Sequence, residues 1–136
     1  MGVSDKTGLL TIFLIDTAPG TGLHALDKPA NVQGAFEPKA AVTVAVIRGD
    51  NAIQKFGMKQ PTHIKIDVDG HEIRVLEGLL PILPGVKTLW IEMMDEAEAS
   101  GDNAKIEAML SGVGFAREEL RTPVKGENRL YVRGRF

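Results

Sequence analysis

The chain has 136 residues, 43% of them apolar and 25% charged, with a net charge of −2, which suits one soluble domain rather than two. Its basic residues form no runs, which argues against nucleic acid as the main partner, since phosphate binding needs a concentrated Lys/Arg surface. There is no cysteine to build a disulfide or thiolate metal site, as suits a cytoplasmic protein, and no apolar run approaches the roughly 20 residues that span a bilayer.

Residues 9–15 are short, apolar and β-branched and predict a strand; without a basic leader they do not make a signal peptide. Residues 16–38 hold three of the seven prolines and three glycines and predict a long loop, the kind that often carries specificity. A second strand is expected at 41–47 and a short helix at 51–56, closed by Gly57. Residues 63–68 alternate as a strand, and Asp69-Gly70 then turns the chain. Ile73, Leu76, Leu80 and Leu83 recur at helical spacing, with Asp69 as a candidate N-cap, Glu72 suited to the helix N-terminus, and Pro84-Gly85 as the stop. The run 86–93 is a nearly continuous apolar strand of the type covered on both faces. Asp102 opens a helix bearing Ile106, Met109 and Leu110, and residues 130–132 make a final strand. Strand and helix alternate as in a parallel α/β arrangement, with a single domain expected over 1–136.

Strand 63–69 is where chemistry concentrates. Alternation puts Ile64, Ile66 and Val68 on one face and His63, Lys65, Asp67 and Asp69 on the other. Burying such charges unpaired would cost several kcal/mol each, so Lys65–Asp67 pairing, solvent or a ligand must compensate. The carboxylates fall at the carboxyl end of the strand, where open α/β sheets bind ligands. A purely structural pair and cap fit the same residues. A metal site on Asp67, Asp69 and His71 is a further reading, although three ligands this close across a turn seldom form one.

The stretch Thr62-His63-Ile64-Lys65-Ile66-Asp67-Val68-Asp69-Gly70-His71-Glu72, followed by Val75-Leu76-Glu77-Gly78, resembles the signature of FkbM-type methyltransferases. In that family Lys-Ile-Asp-Val-Glu/Asp-Gly leads through a small or polar residue to Glu and then Val-Leu-x-Gly. Residues 87–93 resemble the family's next strand, ending here in Glu92, and residues 127–133 its closing strand. Residues 3–8 resemble the segment after the third strand of the complete enzyme. The resemblance implies a partial Rossmann-like, class I methyltransferase sheet, mostly parallel with flanking helices. It implies S-adenosylmethionine as cofactor and methyl transfer to a hydroxyl of a sugar or secondary metabolite. On that reading Asp67, Asp69 and Glu92 are catalytic candidates, Asp67 first as base or orienter, and Lys65, His71 and Glu72 bind substrate.

The family's glycine-rich turn, where backbone approaches the cofactor and a carboxylate takes the ribose, has no counterpart here. The expectation is a C-terminal portion without the first strands, and no residue is assigned to the cofactor. The family's Leu-Asp-Asp-Leu before the short helix is replaced by Gly49-Asp50-Asn51-Ala52. With the first strands missing, strand 63–68 becomes an open apolar edge that invites pairing. The chain is then expected to self-associate through it, to pair with an N-terminal half, or to fold its own N-terminal strands over it. A non-enzymatic remnant serving as an interaction or oligomerisation module is the alternative.

Overall fold

Two four-stranded sheets, a small two-stranded ribbon and three α-helices make a mixed α/β fold, seen in a computed structural model that describes residues 1–31, 33–93, 101–119 and 128–134. In chain order the elements are β1 (Gly2–Val3), β2 (Gly8–Leu14), β3 (Ala25–Leu26), β4 (Ala30–Asn31), β5 (Gly34–Ala35), β6 (Ala40–Ile47) and α1 (Gly49–Phe56). They continue with β7 (His63–Ile66), α2 (Glu72–Leu79), a 3₁₀ turn (Leu80–Gly85), β8 (Thr88–Glu92), α3 (Asp102–Gly112), β9 (Phe115–Arg117) and β10 (Asn128–Arg133).

The N-terminal sheet has the order β1-β6-β2-β3 and the second sheet β7-β8-β10-β9. The alternating apolar pattern of 63–68 and the helical pattern of 73–83 meet in the second sheet. Ile66, Leu89, Ile91 and Tyr131 point to one face, where Leu76, Leu79 and Leu83 from α2 and the 3₁₀ turn, and Ile106 and Leu110 from α3, close the core. At roughly 25 cal/mol per Å² of buried apolar surface, this face supplies the main drive for folding.

The mostly parallel sheet implied by the resemblance is not what pairs. Among the described strands, β1–β6 and β7–β8 are parallel, and the other five pairings are antiparallel. The physical reason is the return of β10 between β8 and β9: it opposes both, so β7, β8 and β9 still run in one direction while two of the three pairings are antiparallel. Burial along β8 alternates rather than being continuous, with Leu89 and Ile91 inside and Thr88, Trp90 and Glu92 half-exposed. The expected cover on both faces is therefore not present among the described residues.

The sequence loop 16–38 contains the short strands β3, β4 and β5, and β1 and β9 are further short strands that periodicity did not reveal. They have two or three residues each, too few to show a period. Glu127, the first residue of the family-like closing segment, lies outside the described residues. The N-terminal strands do not cover β7: β1 and β2 both bond to β6. Among the described residues β7 pairs with β8 alone, and its outer edge borders an apolar groove of about 360 Å³ between α1 and α2, lined by Ala52, Ile53, Ile64, Ile66, Val75 and Leu79. No helix of the described residues is long and apolar enough to cross a membrane.

Candidate active site

β7 ends at Ile66 and α2 begins at Glu72, so the motif residues 67–71 form the turn between them. Asp69 has φ 50° and Gly70 φ 91°, two consecutive left-handed residues that reverse the chain within a short span. Asp and Gly are the residue types that accept this region at least cost. Glu72 fixes the turn: its side chain is buried, and Oε1 accepts hydrogen bonds from the Val68 amide (3.3 Å) and the Gly70 amide (3.1 Å). The helix cap is His71, without a side-chain capping bond, rather than Asp69. The Asp69 carboxylate instead accepts from the Leu23 amide at 3.1 Å, tying the turn to the N-terminal sheet's long connection.

Parallel pairing of β7 with β8 matches Ile66 with Ile91, and the next step along both strands brings Asp67 beside Glu92. Lys65 Nζ donates to Asp67 Oδ2 at 2.5 Å, with both side chains substantially exposed (59% and 43%). The polar face of β7 is thus compensated by both an ion pair and solvent. The Lys65 hydrogen bond, foremost, holds the Asp67 carboxyl below the usual carboxylate range, helped by a hydrogen bond from Glu92. Burial first, and then the negative charge of Asp67, push the Glu92 carboxyl up. Two carboxyl groups side by side with pKa values driven apart are the arrangement in which one accepts while the other holds a proton.

On the other side of the turn, the connection after β2 comes down onto α2. Arg74 Nε donates to Asp5 Oδ1 (3.0 Å) and its guanidinium to Asp27 Oδ2 (2.8 Å), so one side chain clamps three segments. Burial alone would raise the Asp5 carboxyl, but hydrogen bonds from Ser4 and Arg74 outweigh it and hold it below its ordinary value. Between the connection and α2 lies a cavity of about 670 Å³ whose mixed lining includes Leu26, Asp27, Asp69, His71, Arg74 and Asp102. His71 is half-buried in this wall. Burial, foremost, pushes its pKa below 6.5, against the raising effect of Glu72, and Arg74 adds to the lowering.

The structure therefore brings Lys65, Asp67 and Glu92 together at the strand ends, and sets Asp69 and His71 on the adjoining cavity. Glu72 faces inward and braces the turn between the two. No group of three or more His, Cys, Asp or Glu able to hold a metal ion occurs among the described residues, so Asp67, Asp69 and His71 do not converge as such a set. Sequence reasoning missed Asp5, Asp27 and Arg74. Arg74 carried one signal, a lone cation on an otherwise apolar and acidic helix start, but its partners lie 69 and 47 residues away.

A family model described as the methyltransferase FkbM domain matches residues 1–117. Among curated proteins, hexuronic acid methyltransferase AglP of Haloferax volcanii is 28% identical over 93 residues, covering 57% of this chain and 39% of that protein. The chain thus spans about two fifths of the length of that relative. No solved structure matches it.

Proposed function

This chain belongs to the FkbM methyltransferase family, and from that membership we propose that it carries the acceptor-facing part of an S-adenosylmethionine-dependent O-methyltransferase site, acting on a hydroxyl of a sugar or secondary metabolite in the cytoplasm. The observation that carries this reading is the Asp67–Glu92 carboxyl pair at the carboxyl ends of two parallel strands, ahead of a helix. On this reading the β7–α2–β8 unit belongs to a Rossmann-like methyltransferase sheet.

The donor set fits such a cofactor chemically. S-adenosylmethionine supplies an electrophilic methyl group on a positively charged sulfur, and its ammonium and ribose hydroxyls donate hydrogen bonds. Asp67 and Asp69 offer carboxylate acceptors that suit these groups. Asp67, kept ionised by Lys65, orients hydroxyl groups by accepting from them; held below the usual carboxylate range, it is a weak proton acceptor. Glu92 retains its proton to higher pH and can donate to an acceptor oxygen. Glu72 keeps the turn, and with it the spacing of Asp67 and Asp69, fixed. Alignment of two bound partners supplies much of the acceleration in such a displacement.

Methyl transfer from labelled S-adenosylmethionine to a panel of glycosides tests the reading. Label in product that is lost in Asp67→Asn, with the variant folded, supports it; equal labelling by the variant refutes the assignment of Asp67. A second reading, an interaction module, is favoured by the outer edge of β7, which bonds to no further strand among the described residues and lies beside an apolar groove. Its occupant is a second copy of this chain, paired strand to strand, and a monomeric mass by light scattering would refute it.

A further inference from the structure

After β2 the chain makes an excursion over residues 16–23 before it returns at β3. The N-terminal sheet holds both of its ends: Phe13 pairs with the buried Ala25, and the Ile15 amide donates to His24 Nδ1 at 3.4 Å. The excursion carries its own turns. Asp16 Oδ1 accepts from the Thr17 and Ala18 amides (2.6 and 3.2 Å), and the Ala18 carbonyl accepts from the Thr21 amide and hydroxyl (3.3 and 2.9 Å). Residues 16–20 and Gly22 are exposed. A segment with so little buried apolar contact belongs to the part of a fold that opens at small cost.

The far end of the excursion lies on the motif turn. The Leu23 amide donates to Asp69 Oδ2 at 3.1 Å, and the backbone beside it is flush against the carboxylate. A Cβ built on Gly22 would lie 3.1 Å from Oδ2 and 3.9 Å from Oδ1, so a ligand donor cannot approach Asp69 from that side while the contact stands. Leu23 holds φ 59°, a left-handed conformation that is costly for a bulky L side chain. Two bonds keep it there: its amide on Asp69, and Asn31 Nδ2 donating to its carbonyl at 2.7 Å. The contact on Asp69 is therefore a bond opposed by backbone strain, and it holds less firmly than the bond alone would.

Resting on the methyltransferase reading above, we propose that residues 16–23 form an autoinhibitory flap: shut, its Leu23 amide occupies Asp69, and S-adenosylmethionine takes Asp69 only when the flap lifts. The cofactor's ammonium and ribose hydroxyls are hydrogen-bond donors, as the Leu23 amide is, so the two compete for one carboxylate. Lifting releases Leu23 from its left-handed conformation, which offsets part of the lost bond. Apparent affinity is then the intrinsic affinity multiplied by the fraction of chains with the flap open. While the flap is mostly shut, a change that opens it tightens binding by the same factor.

The test joins hydrogen exchange at the Leu23 amide, read by NMR, to calorimetric titration with S-adenosylmethionine, on the wild type, Gly22→Ala and Leu23→Pro. Gly22 does not use the left-handed region, so alanine fits its backbone and acts by crowding Asp69. Proline at 23 removes the amide donor and cannot hold φ 59°. Leu23 exchange should quicken by about 3–10-fold in Gly22→Ala, with affinity rising by a matching factor. Leu23→Pro should bind about tenfold tighter than the wild type, because the shut form has lost a hydrogen bond to a charged group. Thermal melts check that each variant is folded. Saturating S-adenosylmethionine should quicken Leu23 exchange in the wild type. Binding of equal affinity by the wild type and both folded variants, or Leu23 exchange that slows as the cofactor binds, overturns the flap and leaves the methyltransferase reading standing. Faster Leu23 exchange in Gly22→Ala with no binding by any of the three chains overturns the inhibition and counts against the methyltransferase reading as well.

Discussion

Gly78 offers a test of how the motif helix is seated. A Cβ built there would lie 1.9 Å from the Ser4 carbonyl oxygen, 2.7 Å from the Ser4 carbonyl carbon and 3.3 Å from the Asp5 amide nitrogen. All three are backbone atoms, so no side-chain rotation relieves the contact. Restoring ordinary separations of about 3.5 Å requires the Ser4–Asp5 backbone to withdraw by roughly 1.5 Å. Asp5 is one of the two anchors of Arg74, so that withdrawal also strains the clamp across the site. Alanine gains about 1 kcal/mol over glycine inside a helix, and overpacking of this kind costs about 1–3 kcal/mol and occasionally more. With backbone on both sides of the clash, the cost exceeds the gain, and Gly78→Ala should lose about 2 kcal/mol net. Urea unfolding followed by circular dichroism measures it. Gly112→Ala is the control: nothing lies within 4 Å of its Cβ position, so it should be neutral or slightly stabilising. A Gly78→Ala chain as stable as the wild type would refute the seating of α2 on the Ser4 carbonyl.

Other perturbations follow from the same geometry. Glu72→Ala leaves the Val68 and Gly70 amides without their acceptor and should cost about 2–4 kcal/mol, whereas Glu72→Gln keeps an acceptor oxygen and should cost less than about 1 kcal/mol, both read by urea unfolding. Arg74→Met removes the charged bonds to Asp5 and Asp27 and should cost about 1–3 kcal/mol, with faster proteolysis of the 16–38 connection. Glu92 holds its proton more tightly folded than unfolded, so its favourable contribution is full below the ordinary 4.5 and is lost as pH rises through the raised folded value. Glu92→Gln should therefore stabilise the chain at pH 7, by at most about 1 kcal/mol because solvent screens the pair, and the gain should vanish below pH 4.5 in thermal melts. Asp67 runs the other way: its contribution is present above 3.8 and fades as pH falls through the lowered folded value.

Much of the site was legible because its elements are local. The alternation of His63, Lys65 and Asp67 against Ile64 and Ile66 fixed which side chains would face solvent, and Asp69-Gly70 announced the reversal before α2. The Glu72 role was readable only in part: an acid at a helix start suits the dipole, but its inward turn onto two amides depends on the left-handed Asp69. The sheet order was not legible, because nothing in a three-residue strand such as β9 reports that β10 will insert beside it. The Arg74 clamp and the cavity were equally hidden, since they depend on where residues 21–31 settle, and that segment has turn chemistry without a period. The apolar run 86–93 suggested two covered faces, yet the half-exposed Trp90 and Thr88 lie beside Lys65 and His63 on an uncovered one.

The most direct test of the account is transfer of labelled methyl from S-adenosylmethionine to a panel of glycosides by this chain, run beside Asp67→Asn. The account predicts labelled O-methyl product with the wild type and its loss in a variant whose thermal melt is unchanged. No labelled product from folded wild-type chain over the whole glycoside panel would contradict it.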